Sequence, residues 1–106
     1  MQKIEVRSLG EGRFELHGPL TFATATSALD QSRESFAAYD RLHVDLAGVE
    51  QADSAGLALL LEWVNWARHY VREIHYENIP AQIRAIAEIS EVETMLHAGE
   101  RWTGQL

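Results

Sequence analysis

Cysteine is absent from the 106 residues. Disulfides and thiolate metal sites are therefore excluded. Cations are scarce: nine Lys and Arg stand against sixteen Asp and Glu, a formal charge of −7. Phosphate contacts need clustered cations, so nucleic acid is a poor partner. The same balance opposes direct adhesion to an anionic membrane surface. No apolar run approaches the roughly 20 residues needed to span a bilayer. The opening stretch MQKIEVRSLG lacks the apolar core of a signal peptide, and a cytoplasmic protein is the expectation. Proline occurs only at Pro19 and Pro80, and there is no internal repeat or low-complexity segment.

The signatures of catalysis are missing as well. No Gly-x-Ser-x-Gly elbow surrounds any Ser, and no G-x-x-x-x-G-K-[ST] phosphate loop or HExxH pair occurs. His17, His43, His75 and His97 are scattered. Asp53, Ser54 and His69 suggest a triad only on paper. His69 lies about four helical turns from Ser54, roughly 22 Å at 1.5 Å per residue. The sequence therefore predicts no catalytic residue, no metal site and no cofactor.

What is present fits one domain over residues 1–106, long enough for a single core. Ile4, Val6 and Leu9 alternate with polar residues, Gly10-Glu11-Gly12 marks a turn, and Phe14 and Leu16 alternate again. The pattern predicts a hairpin whose second strand breaks at Gly18-Pro19. A helix is expected over Ala23 to Tyr39, with Thr21 as N-cap and Phe22, Ala25, Leu29 and Phe36 on its inner face. Glu73 to Glu77 reads as a strand. Pro80 suits a first helical position, and Ala81 to Ile89 is amphipathic, with Ile83, Ile86, Ala87 and Ile89 inward. Val92, Met95 and Leu96 extend that pattern, and residues 98–106, with Trp102, read as an irregular tail. Alternating strands and helices imply parallel crossovers beside the opening hairpin. The expected fold is α/β, a small mixed sheet of about four strands packed by helices.

The most informative stretch runs from Leu42 to Tyr70. Leu42 to Leu46 predicts a buried strand, Ala47 to Ala52 a loop, and Leu57 onward a long helix. Ser54 is an N-cap candidate, with Asp53 adding charge beside the positive end of the dipole. Gly56 costs propensity and points to a close backbone approach. An ordinary cap with a packing glycine is one reading of this turn. The other is a regulatory site, because phosphate on Ser54 would meet free N–H groups and a favourable dipole.

The helix itself has an apolar surplus. Leu57, Leu60, Leu61, Val64 and Ala67 form one stripe, enough for a core. Leu59, Trp63, Trp66 and Tyr70 form a second, leaving Glu62, Asn65 and His69 as the polar remainder. Trp and Tyr are enriched at binding hot spots, so the second stripe is expected to face outward toward a partner or a second copy. The alternative is that later segments of the chain cover it, or that these side chains only partly bury.

These residues resemble the STAS domain family over nearly the whole chain. The resemblance rests on Gly18-Pro19-Leu20-Thr21-Phe22, on Val44-Asp45-Leu46, on Asp53-Ser54-Ala55-Gly56-Leu57 and on Asn78-Ile79-Pro80. The Gly18–Phe22 stretch and the Gly56 to Leu61 run look most like the lipid-transport branch, MlaB. That resemblance implies a non-enzymatic accessory subunit binding the ATPase of an ABC phospholipid transporter that maintains outer-membrane lipid asymmetry. It would be cytoplasmic and peripheral to the inner membrane through that partner. The residues expected to make the contact are Asp53, Ser54, Ala55, Gly56, Leu59, Trp63, Trp66 and Tyr70. Another branch implies an anti-sigma factor antagonist switched by a partner kinase at Ser54. Trp63 and Trp66 depart from the smaller aliphatic residues expected in the lipid-transport branch.

Overall fold

A computed structural model describes residues 3–92. Met95, Leu96 and the tail from residue 98 lie outside them. The elements run β1 (Glu5–Gly10), β2 (Arg13–Leu20), α1 (Ala25–Ala37), β3 (Arg41–Ala52), α2 (Ser54–His69), β4 (Glu73–Glu77) and α3 (Ala81–Ile89). The sheet order is β1-β2-β3-β4, with β1 antiparallel to β2 and both later pairs parallel. The expected small mixed α/β sheet is what forms.

Alternation decides which face is covered. Phe14, Leu16 and Leu20 of β2, Leu42, Val44 and Leu46 of β3, and Ile74 and Tyr76 of β4 are buried. They join Ala28 and Phe36 of α1, six apolar residues of α2 (Leu57, Leu59, Leu60, Trp63, Val64 and Ala67), and Ile83 and Ala87 of α3 in one core. Glu15, His17, His43, Asp45 and His75, between them in sequence, remain half exposed. Two crossovers of one hand, adding strands in one direction, bring their helices to one face. Among the described residues, nothing covers the other face of the sheet.

Several boundaries differ from expectation. β2 does not stop at Gly18-Pro19 but continues to Leu20, and the expected loop Ala47–Ala52 is the second half of β3. These halves pair with one another, Gly18 with Val49 and Leu20 with Ala52, after register shifts that bend the ladder. Gly18 absorbs the bend at φ +113, where an added Cβ would lie 2.2 Å from the Lys3 carbonyl oxygen. Pairing between β1 and β2 reaches only His17, so the donor Pro19 lacks lies beyond that ladder.

Helix α1 is shorter than expected, and Thr24, not Thr21, holds its N-cap position. The buried Thr24 hydroxyl donates to the Pro19 carbonyl at 2.7 Å and accepts from Thr21 N–H at 2.9 Å. This knot ends β2 and starts α1. It also leaves Phe22 outside the helix and 86% exposed, not on an inner helical face. Leu9 and Ile89, expected inward, are likewise exposed. Pro80 takes the N-cap position of α3 and not its first turn. Val92 packs against the core as the last described residue.

Side chains tie the elements together. Tyr76 donates to the Leu60 carbonyl at 2.6 Å, joining β4 to α2; burial pushes its hydroxyl well above the ordinary range. Arg72 donates to the Ala37 and Tyr39 carbonyls, each at 2.7 Å, and so closes the C-terminal end of α1. Asn78 donates to Asp45 at 2.9 Å. With the Ala47 N–H it holds that carboxyl below the ordinary range.

Candidate functional site

Parallel pairing of β2 and β3 puts their C-terminal ends side by side, and the loops leaving them meet there. Asp53 joins the two. Its Oδ1 accepts from Ala55 N–H at 2.9 Å and Gly56 N–H at 3.4 Å, and its Oδ2 accepts from Phe22 N–H at 3.1 Å. Asp53 N–H in turn donates to the Leu20 carbonyl at 3.3 Å. One carboxylate therefore caps α2 and holds the β2–α1 loop against it. Asp53, not Ser54, is the N-cap. An extended residue before the first turn aims its side chain back at the free N–H groups, and Asp53 has that backbone, with φ −134 and ψ −168.

Ser54 is thus the first helical residue, and it is exposed. The Ala55 and Gly56 N–H groups expected to be free for a phosphate are already occupied by Asp53. Gly56 is buried, and the close approach inferred from its sequence position is real. An added Cβ would lie 2.5 Å from the Leu20 carbonyl oxygen. Only glycine lets the first turn of α2 lie on the end of β2.

From this corner a groove runs between α1 and α2. Its first section, about 340 Å³, is lined by Phe22, Ala25, Thr26, Leu29, Ala55, Ala58, Leu59 and Glu62. A second section, about 280 Å³, is lined by Leu29, Ser32, Arg33, Phe36, Glu62, Trp63 and Trp66. Its floor is aromatic. Phe36 lies 5.0 Å from Trp63 and 6.4 Å from Trp66 between ring centroids.

The second stripe of α2 does not face outward as expected. Leu59 is 5% and Trp63 2% exposed. Trp63 Nε1 donates to the buried Ser32 hydroxyl of α1 at 3.1 Å, a partner that a buried indole needs. α1 covers this stripe, because α2 packs on the sheet with one face and on its neighbouring helix with the next. Trp66 is half buried, with Arg72 over its ring at 5.2 Å. Tyr70 alone of the four is well exposed, at 57%.

The structure therefore brings Asp53, Ser54, Ala55 and Gly56 together at one corner, and leaves Tyr70 at the far end of α2. Leu59 and Trp63 join the two only as groove floor. Phe22 and the small residues Ala25, Thr26 and Ala58 belong to the corner and were not singled out as site residues. Their signal was positional: they flank a turn that parallel pairing sets beside Asp53. Among the described residues, no three metal-ligating side chains converge, and no helix is long and apolar enough to cross a membrane.

No curated protein matches the chain. Among solved structures, the anti-sigma factor antagonist SpoIIAA in its unphosphorylated form superposes with a TM-score of 0.62 at 11% identity, over 81% of this chain and 82% of that one. At that identity the likeness is one of fold. The family described as MlaB, STAS domain, matches residues 5–97. With that match spanning most of the sequence, the chain belongs to the STAS domain family.

Proposed function

We propose that this protein is a non-enzymatic accessory subunit that docks on the ATPase of an ABC phospholipid transporter, within the machinery that keeps outer-membrane lipids asymmetric. It acts at the cytoplasmic side and reaches the inner membrane only through that partner. The MlaB-type family match supports the branch. The observation that carries the docking surface is Phe22, an aromatic residue 86% exposed whose backbone N–H is held by Asp53. An exposed aromatic on a tethered loop at the mouth of an apolar groove is what a protein interface uses as an anchor. The contact surface is Phe22, the Asp53–Gly56 turn and the open section of the groove, continuing to the Trp66 edge and Tyr70.

A second reading is an anti-sigma factor antagonist switched at Ser54. The exposure of Ser54 beside Asp53 favours it. A phosphate on Ser54 would sit next to the Asp53 carboxylate and compete for the same N–H groups. Like-charge repulsion would loosen the hold on Phe22 and add bulk at the corner. In this reading phosphorylation turns docking off.

Affinity capture from the host cytosol and membrane fractions, with mass spectrometry, separates the two. Recovery of an ABC ATPase with its permease supports the transporter subunit. Recovery of an anti-sigma kinase, with phosphate appearing on Ser54, replaces it with the switch.

A further inference from the structure

Among the described residues, β1 is an outer strand, with a strand neighbour on one side only. Gln31 of α1 occupies part of its other side. Val6 N–H donates to Gln31 Oε1 at 2.9 Å, and Gln31 Nε2 donates to the Ile4 carbonyl at 2.9 Å. The same Nε2 also donates to Ser27 Oγ, one helical turn back, at 3.0 Å. A glutamine side chain ends in an amide, with an acceptor oxygen and donor hydrogens in one plane. The Ile4 carbonyl and Val6 N–H flank Glu5. They are the two groups that one residue of a parallel neighbouring strand would bond. Gln31 therefore stands where the peptide of an added strand would stand.

Unpaired edge groups are a template for pairing with another chain. We propose that Gln31 is an edge plug that keeps β1 from pairing with the β1 of a second copy of this chain. The pattern of the strand selects that occupant. With the edge groups of Val6 and Ile4 directed outward, a twofold antiparallel pair centred on Val6 lets them bond across the axis. That register sets Glu5 opposite Arg7 of the second copy, and Arg7 opposite its Glu5. Both side chains are about half exposed, and opposite charges directly across an antiparallel pair are favourable. β1 contains no proline and carries Leu9 exposed at 57%. Its bulge lies at Ser8–Gly10, and its charges Glu5 and Arg7 are complementary in this register, so neither blocks pairing centred on Val6.

Sedimentation analysis of Gln31→Ala across protein concentration, with amide exchange at Val6, tests the plug. Gln31 is exposed, so its truncation leaves the core intact. The wild type stays monomeric up to the highest concentration measured, whereas Gln31→Ala dimerises at a concentration at least roughly tenfold below that limit. In the dilute variant the Val6 amide exchanges roughly two- to tenfold faster, the loss of one net hydrogen bond. Adding Glu5→Lys, an exposed substitution, weakens the dimer by roughly tenfold by setting cation against cation. A Gln31→Ala protein as monomeric as the wild type overturns the proposal. So does a dimer indifferent to Glu5→Lys.

Discussion

The two ends of the seam between α1 and α2 differ in kind. At the aromatic end, Phe36, Trp63 and Trp66 fill the space and Trp63 hydrogen-bonds across to Ser32. At the corner near Ser54 the small residues Ala25, Thr26, Ala55 and Ala58 line the space, and the one aromatic side chain, Phe22, points away from the core. Large apolar residues cement the helices to each other; small ones leave room for something else. Residue type alone would place a binding surface at the tryptophans. Packing buries Trp63 and half-buries Trp66, so the proposed surface is centred on Phe22 and the Asp53–Gly56 turn and reaches the tryptophans only at the Trp66 edge.

The comparison breaks most severely if Trp63 is mere surface. Trp63→Ala removes a ring 2% exposed and leaves Ser32 without its donor. It should destabilise the fold by about 3–5 kcal/mol, measured by urea unfolding. A loss below about 1 kcal/mol would return the second stripe to the surface. Gly56→Ala comes next, because the Cβ meets the backbone oxygen of Leu20 and not a flexible side-chain end. A loss of about 1–3 kcal/mol is expected by the same assay, with changed amide shifts at Leu20 and Phe22. The smallest effect belongs to the aromatic end. Val71, the residue after the α2 cap, has φ 55, a left-handed backbone that a β-branched residue tolerates poorly. Val71→Gly should raise stability by about 1 kcal/mol, seen as a higher urea midpoint at unchanged slope.

Much of this was legible in the sequence. Strand β4, helix α3 and the core stripe of α2 carry clear periodicity and lie where it puts them. The Asp-Ser-x-Gly-Leu signature located the corner, and the glycine in it announced the close approach. The second half of β3 was not legible. AGVEQA holds one glycine and little alternation, and it becomes a strand because the end of β2 lies beside it, a tertiary effect that overrides local preference. The direction of the second α2 stripe was illegible for a different reason. A helical period separates apolar faces but does not say which one meets a sheet, a helix or solvent. The role of Asp53 was half legible. Its charge at the helix start was expected, but its bond to Phe22, 31 positions earlier, joins loops that only the parallel pairing brings together.

The central claim is that a partner docks at the corner held by Asp53. A binding titration of the purified ABC ATPase against wild type and Phe22→Ala tests it most directly. Phe22 makes no core contact, so the variant should unfold within about 0.5 kcal/mol of wild type. Its affinity should fall by at least roughly thirtyfold, the loss of a hot-spot anchor of about 2 kcal/mol. Undiminished affinity in the folded variant would contradict the account.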